Sequence, residues 1–186
     1  MSLEILEEQI AKSLNQSVYF LALFTALSLP DIAGAMSSSD GAASSRKYIR
    51  WYEAWVRPRF AENFRSKMVS KGHGDLTAPN NPFTGEACYY YRCAMLHQAR
   101  PSHGKLGFSK ILFIEPGPSA PQVHYTVMND ALCIDLPKFC TEVLQGVSLW
   151  RAAEKGTESF QKNIESTINR YPEGLKPYIV GLPVIG

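Results

Sequence analysis

The chain of 186 residues lacks most of the short signatures that identify an enzyme class. It has no GxGxxG, Walker A or GxSxG sequence, so nucleotide-fold and hydrolase-elbow readings have no support. Its four cysteines are too few for a disulfide scaffold, and none belongs to a CxxC pair. Cys88 and Cys93, five apart on a helix, would point about 140° apart. Cys133 and Cys140 straddle a strand-to-helix junction, and His73 and His103 sit beside loop glycines, so no metal and no cofactor is expected. Net charge is also scarce, at +2. With 45% hydrophobic residues, that argues against disorder and for one domain with a real core. Internal repeats and low-complexity tracts are missing too.

The longest charge-free run, Ser13 to Pro30, is long enough to raise a membrane helix. It contains Asn15, Gln16, Ser17, Thr25 and Ser28 and ends at Pro30-Asp31, which argues against spanning. Glu4, Glu7 and Glu8 precede it where a signal peptide needs basic residues. A reduced, cytoplasmic protein without a membrane partner is therefore the expectation.

What charge there is lies unevenly. Residues 1–45 carry one Lys against five acids, and residues 46–71 carry eight Lys/Arg against two Glu. Residues 72–186 balance at ten each. One basic segment suggests an anionic partner.

Periodicity predicts a mainly α protein: a bundle of five to six helices with a small antiparallel hairpin or three-stranded sheet at about 110–136. Leu3, Leu6, Ile10 and Leu14 mark the first helix. Ser17 is placed to cap a second through Val18–Leu29, apolar nearly all round and hence central, with Pro30 ending or kinking it. Residues 43–57 form a third, with Arg46, Arg50, Glu53 and Arg57 on one face and Tyr48, Trp51, Tyr52 and Trp55 opposite. Pro58 should break it, and 66–83 reads as a long loop. Thr84 caps a fourth helix that runs to about Gln98 and stops at Arg100-Pro101.

Strand signals follow at Lys110–Glu115, at 123–128 and at Ala131–Leu136, with Asn129-Asp130 as a turn. Pro137 opens a helix whose inner face is Phe139, Val143, Val147 and Trp150, with Gly146 as a weak spot. Thr157 caps the last, with Phe160, Ile164 and Ile168 inward. Residues 1–171 thus read as one helical domain with a β insert, and 172–186 as an extended apolar tail that needs a surface to lie on.

One constellation suggests chemistry. Arg92-Cys93-Ala94-Met95-Leu96-His97 has the form Arg-x4-His near the end of an apolar helix. This pattern resembles the HEPN superfamily, small helical proteins whose shared signature is Arg followed four to six residues later by His. The resemblance implies a metal-independent ribonuclease or an RNA-binding protein of a toxin–antitoxin or defence system. It makes Arg92 and His97 the catalytic residues and a homodimer the functional unit, with RNA and an antitoxin or other protein as partners. Cys93 stands where many active members carry Asn or another polar residue. Tyr91–Gln98, with Tyr19–Leu23 and Leu29–Ile32, also looks like a pattern of uncharacterised bacterial proteins.

The residue types suit the task. Metal-free RNA cleavage needs a base for the 2′-hydroxyl proton, which a His can be, and a cation against the charge that builds on phosphate, which Arg supplies. Arg46, Arg50 and Arg57 would steer the RNA. A five-residue gap keeps Arg92 and His97 off a common helical face. His97 would then project from the last turn, or a second chain would complete the site. The alternative is a non-catalytic structural or protein-interaction module in which Arg92 is a buried ion-pair residue, with Asp31 as its candidate partner and His97 bonded to the helix C-terminus.

Overall fold

The computed structural model describes residues 2–74, 76–98, 107–117 and 123–186. The chain is mainly α with small sheets. Its helices are α1 (Ser2–Asn15), α2 (Tyr19–Met36), α3 (Ser45–Trp55), α4 (Arg57–Ser70), α5 (Gly85–Gln98), α6 (Leu136–Glu154) and α7 (Glu158–Glu165). Strands β1 (Lys110–Ile114), β2 (Thr126–Met128) and β3 (Ala131–Asp135) form one sheet.

Helix α2 is the hub, packed on α1, α3, α5, α6 and α7. By length and composition it could cross a membrane, but half of it is buried inside the fold. It does not start on a Ser17 cap. Ser17 has φ +60° and its hydroxyl accepts from the Tyr19 phenol, while Val18 precedes the helix without a side-chain cap. Pro30 does not end it either. Ala33, Gly34 and Met36 beyond the proline are buried, and that tertiary burial outweighs one missing ladder bond. Asn163 of α7 closes the far end, its Nδ2 donating to the carbonyls of Met36 (3.0 Å) and Ser38 (2.7 Å).

One helix more than expected appears because Pro58 starts α4 instead of breaking α3. It sits in the first turn, where a missing N–H costs nothing. The loop after α4 therefore begins at Lys71, not at 66. The caps on α3, α5, α6 and α7 are Ser44, Thr84, Asp135 and Thr157, each accepting from a backbone N–H three residues on. Phe139, Val143, Val147 and Trp150 are fully buried along α6. Gly146 is no weak spot. A Cβ there would lie 2.8 Å from the Trp55 carbonyl oxygen, so glycine permits the close crossing of α6 on the α3 C-terminus. The expected stop at Arg100-Pro101 and the loop residue His103 lie outside the described residues.

The sheet is mixed, not antiparallel. β2 and β3 form the expected hairpin, Asn129 (φ +48°) and Asp130 (φ +62°) giving the two left-handed residues of its tight turn. β1, however, pairs with the other edge of β3 in parallel. Phe83, read from sequence as a loop residue, is fully buried and touches the rings of Tyr52, Tyr91, Phe113 and Phe139. It joins α3, α5, β1 and α6.

Residues from Arg170 on do not form an extended tail. They fold back as two strand pairs, Arg170–Tyr171 with Val184–Ile185 and Gly174–Leu175 with Ile179–Val180. Tyr178, Val180, Leu182 and Ile185 remain exposed, so this segment does not use them to cover the bundle. Ile168, expected inward, lies past the end of α7 and is exposed as well.

Candidate functional site

Asp31 lies on α2, and Arg92 and His97 lie on α5. Their approach is fixed by Tyr48 of α3, which is fully buried. Its hydroxyl donates to the Leu27 carbonyl at 3.1 Å and meets the Cys88 thiol at 3.2 Å. Leu27 is one helical turn before Asp31, and Cys88 one turn before Arg92. A single hydroxyl therefore sets the register of the two helices directly behind the cluster. The start of α5 is held separately. Gly85 lies so close to α3 that a Cβ would be 2.8 Å from the Ile49 oxygen, and its N–H donates to Glu53 Oε1 at 2.7 Å.

Arg92 Nη2 forms an ion pair with Asp31 Oδ2, with side-chain exposures of 19% and 14%. Arg92 Nη1 lies 3.4 Å from His97 Nε2 and 3.8 Å from Cys93 Sγ. His97 is exposed at the helix end. The five-residue gap keeps the two residues off a common helical face, but the reach of the Arg92 side chain brings Nη1 to the ring of His97 in the last turn. Since a guanidinium only donates, His97 Nε2 is the acceptor in this contact and the ring proton sits on Nδ1.

Burial pushes the Asp31 carboxyl above the usual carboxylate range, against the pull of Arg92. Burial also works against the charge on Arg92, but the Asp31 carboxylate and the Cys93 sulfur outweigh it and hold the guanidinium protonated. Arg92 thus stays cationic, and Asp31 is the member of the pair that titrates.

The basic face of α3 divides. Arg46 and Arg50 are exposed. Arg57 is committed within the fold, with Nη1 2.8 Å from Glu53 Oε2 and Nε donating to the Asn81 carbonyl at 3.1 Å. It belongs to α4 and braces the approach to α5. Among the described residues no group of three or more His, Cys, Asp or Glu could hold a metal ion.

A second cluster carries no sequence signal that would have singled it out. Glu142 of α6 is buried, accepts from the Tyr125 phenol at 2.7 Å and lies 3.3 Å from His124 Nε2. Only a charged residue on the inward-turning side of α6 hinted at it.

No family model, curated protein or solved structure matches the chain.

Proposed function

We propose that Asp31, Arg92 and His97 form an RNA-binding and RNA-cleaving site of the kind the HEPN resemblance implies, working without a metal in a cytoplasmic protein. The contact between Arg92 and His97 carries this reading. A purely structural pair needs Asp31 and Arg92 alone. Setting an imidazole against the same guanidinium adds little to that pair, because His97 is exposed at the helix end, and it places a ring nitrogen beside a fixed cation at the surface. That is the arrangement a general base beside a phosphate needs.

In this reading Arg92 is positioned by Asp31 and offsets the charge developing on a bound phosphate. A bound phosphate draws Arg92 Nη1 off the ring, and His97 Nε2, freed from that contact, takes the 2′-hydroxyl proton as the 2′ oxygen attacks phosphorus. The bond to the 5′ oxygen breaks, and that oxygen leaves with a proton from water. The products are a 2′,3′-cyclic phosphate and a 5′-hydroxyl. Exposed Arg46 and Arg50 supply basic surface for the rest of the strand. Phe20 and Leu21, exposed on α2, give a second copy of the chain an apolar surface on the helix that carries Asp31. A homodimer would use it, and an antitoxin-like protein could compete for it.

The test is RNA cleavage by purified protein in EDTA. Cyclic phosphate ends should form, and His97→Ala should abolish them with the urea midpoint unchanged. Cleavage that survives His97→Ala refutes the site. Sedimentation equilibrium at micromolar concentration tests the dimer, and a clean monomer of 20.7 kDa rejects it. A second reading rests on the low exposure of the Asp31–Arg92 pair: a module that binds another protein, with this pair as a strut between α2 and α5. It requires that no cleavage be seen and that a partner co-purify.

A further inference from the structure

The His124–Glu142 cluster forms part of the wall of a cavity of about 500 Å³ between α4, α6 and the β2 end of the sheet. None of the lining residues belongs to the Asp31–Arg92–His97 cluster. Three features separate this cavity from a packing defect.

The first is its buried polar wall. Glu142 is 3% exposed, in a helix whose neighbouring inward positions are all apolar. Both its oxygens are engaged, Oε2 by Tyr125 and Oε1 by His124. The contact to Glu142 places a proton on His124 Nε2. His124 Nδ1 is left buried with no hydrogen-bond partner among the described residues, on a side chain that is 8% exposed. An unpaired polar atom inside a fold is normally avoided, and here it lies on a ring that lines the cavity.

The second is backbone strain. Tyr125 has φ +53°, a conformation bulky side chains rarely adopt. The strained residue is the one whose phenol holds Glu142. Strain of this kind gathers where a side chain must be aimed.

The third is the contrast between walls and rim. Phe60, Phe64, Pro79 and Pro137 give flat apolar faces. Lys67 and Lys138 supply the cations. Lys138 is already paired with Asp135 at 2.8 Å, but Lys67 is exposed and among the described residues has no carboxylate partner. The lining carboxylate, Glu142, is saturated from within. The cavity therefore offers a charge-seeking cation at the rim above ring-sized apolar walls.

We infer that this cavity binds a small planar aromatic acid. Its ring lies against Phe60 and Phe64, and its acid group meets Lys67. A nucleoside monophosphate and an aromatic carboxylate share that chemistry.

Calorimetric titration of the full chain with AMP, with 2-naphthoate and with neutral 2-naphthalenemethanol tests the inference. At least one of the two anions should bind one-to-one and at least tenfold more tightly than the neutral alcohol. Lys67→Ala, at an exposed position, should weaken that anion at least tenfold with no change in the urea midpoint. Phe64→Ala should weaken the anion and the alcohol together. Preference for AMP or for 2-naphthoate identifies the source of the acid. The proposal is overturned if neither anion saturates a single site below millimolar concentration, if the alcohol binds as well as the anions, or if Lys67→Ala leaves the affinity unchanged. Wild-type RNA cleavage is a separate readout, since Arg92 and His97 take no part in this cavity.

Discussion

The Asp31–Arg92 pair should respond unequally to removal of its two members. Arg92→Gln leaves a largely buried carboxyl without its cation. Removing one partner of a fully buried pair costs about 3–5 kcal/mol. Here the exposures of 14% and 19% admit some water, and the cost should fall to about 1–3 kcal/mol. Asp31→Asn is different. Burial raises the Asp31 carboxyl even with Arg92 present, so the ionised form is less favourable in the folded chain than in the unfolded one. The neutral amide should therefore leave stability at neutral pH within about 0.5 kcal/mol of wild type, or above it. The pH sign follows. The unfolded carboxyl titrates near 3.9, and the folded one holds its proton to higher pH. Across that window the folded state binds more protons, so stability falls as pH rises through it. Asp31→Asn should remove this slope, and Arg92→Gln should steepen it. Urea unfolding followed by tryptophan fluorescence reads all of this, since Trp51 and Trp150 are buried. In the Asp31→Asn background, Arg92→Gln should cost less than in wild type. Strictly additive losses, or an Asp31→Asn protein that loses more stability than Arg92→Gln, would refute the reasoning.

Gly146→Ala should destabilise by about 1–3 kcal/mol through overpacking, whereas a merely weak helix position would gain about 0.5–1 kcal/mol from the same change; the urea midpoint gives the sign. Tyr48→Phe should cost about 1–2 kcal/mol. It should lower the rate of RNA cleavage beyond what the loss of folded protein accounts for, because it loosens the α2–α5 register. Among the cysteines, half-buried Cys93 should react first with a thiol reagent at neutral pH. Burial pushes the Cys140 thiol up to about 12 and raises Cys88 further still, so both should react only as the chain unfolds. Early labelling of Cys140 by peptide mapping would contradict that order.

The helices were legible because their apolar spacing and capping residues act locally. Thr84 and Thr157 bond to N–H groups three residues away, and a sequence displays that spacing directly. What was misread depends on distant partners. Pro58 looks like a break until the chain turns at Val56 and makes it the first turn of α4. Pro30 looks like a stop until the buried residues beyond it outweigh one lost bond. The parallel pairing of β1 with β3 is likewise a long-range choice that alternation within either strand does not display.

The two side-chain clusters show where local reading of a site ends. Arg92 and His97 were visible as a motif, but helical angles describe Cβ directions and not the reach of a guanidinium. Angle alone therefore did not show their contact. His124 and Glu142 were invisible for a different reason. A lone Glu on a helix looks solvated, and a His in a short strand looks alternating. Only the fold reveals that both are buried and that a strained Tyr125 closes the set. Without Tyr125 and His124, Glu142 would be a buried polar side chain with no partner there, and Tyr125 has no local reason to take a left-handed backbone. Each residue is unfavourable alone and explained by the others. An apolar residue at 142 would have packed this wall without any of them. Keeping the polar set therefore gains the fold no evident stability, and what it adds is a polar cluster, bonded within itself, behind one wall of the cavity.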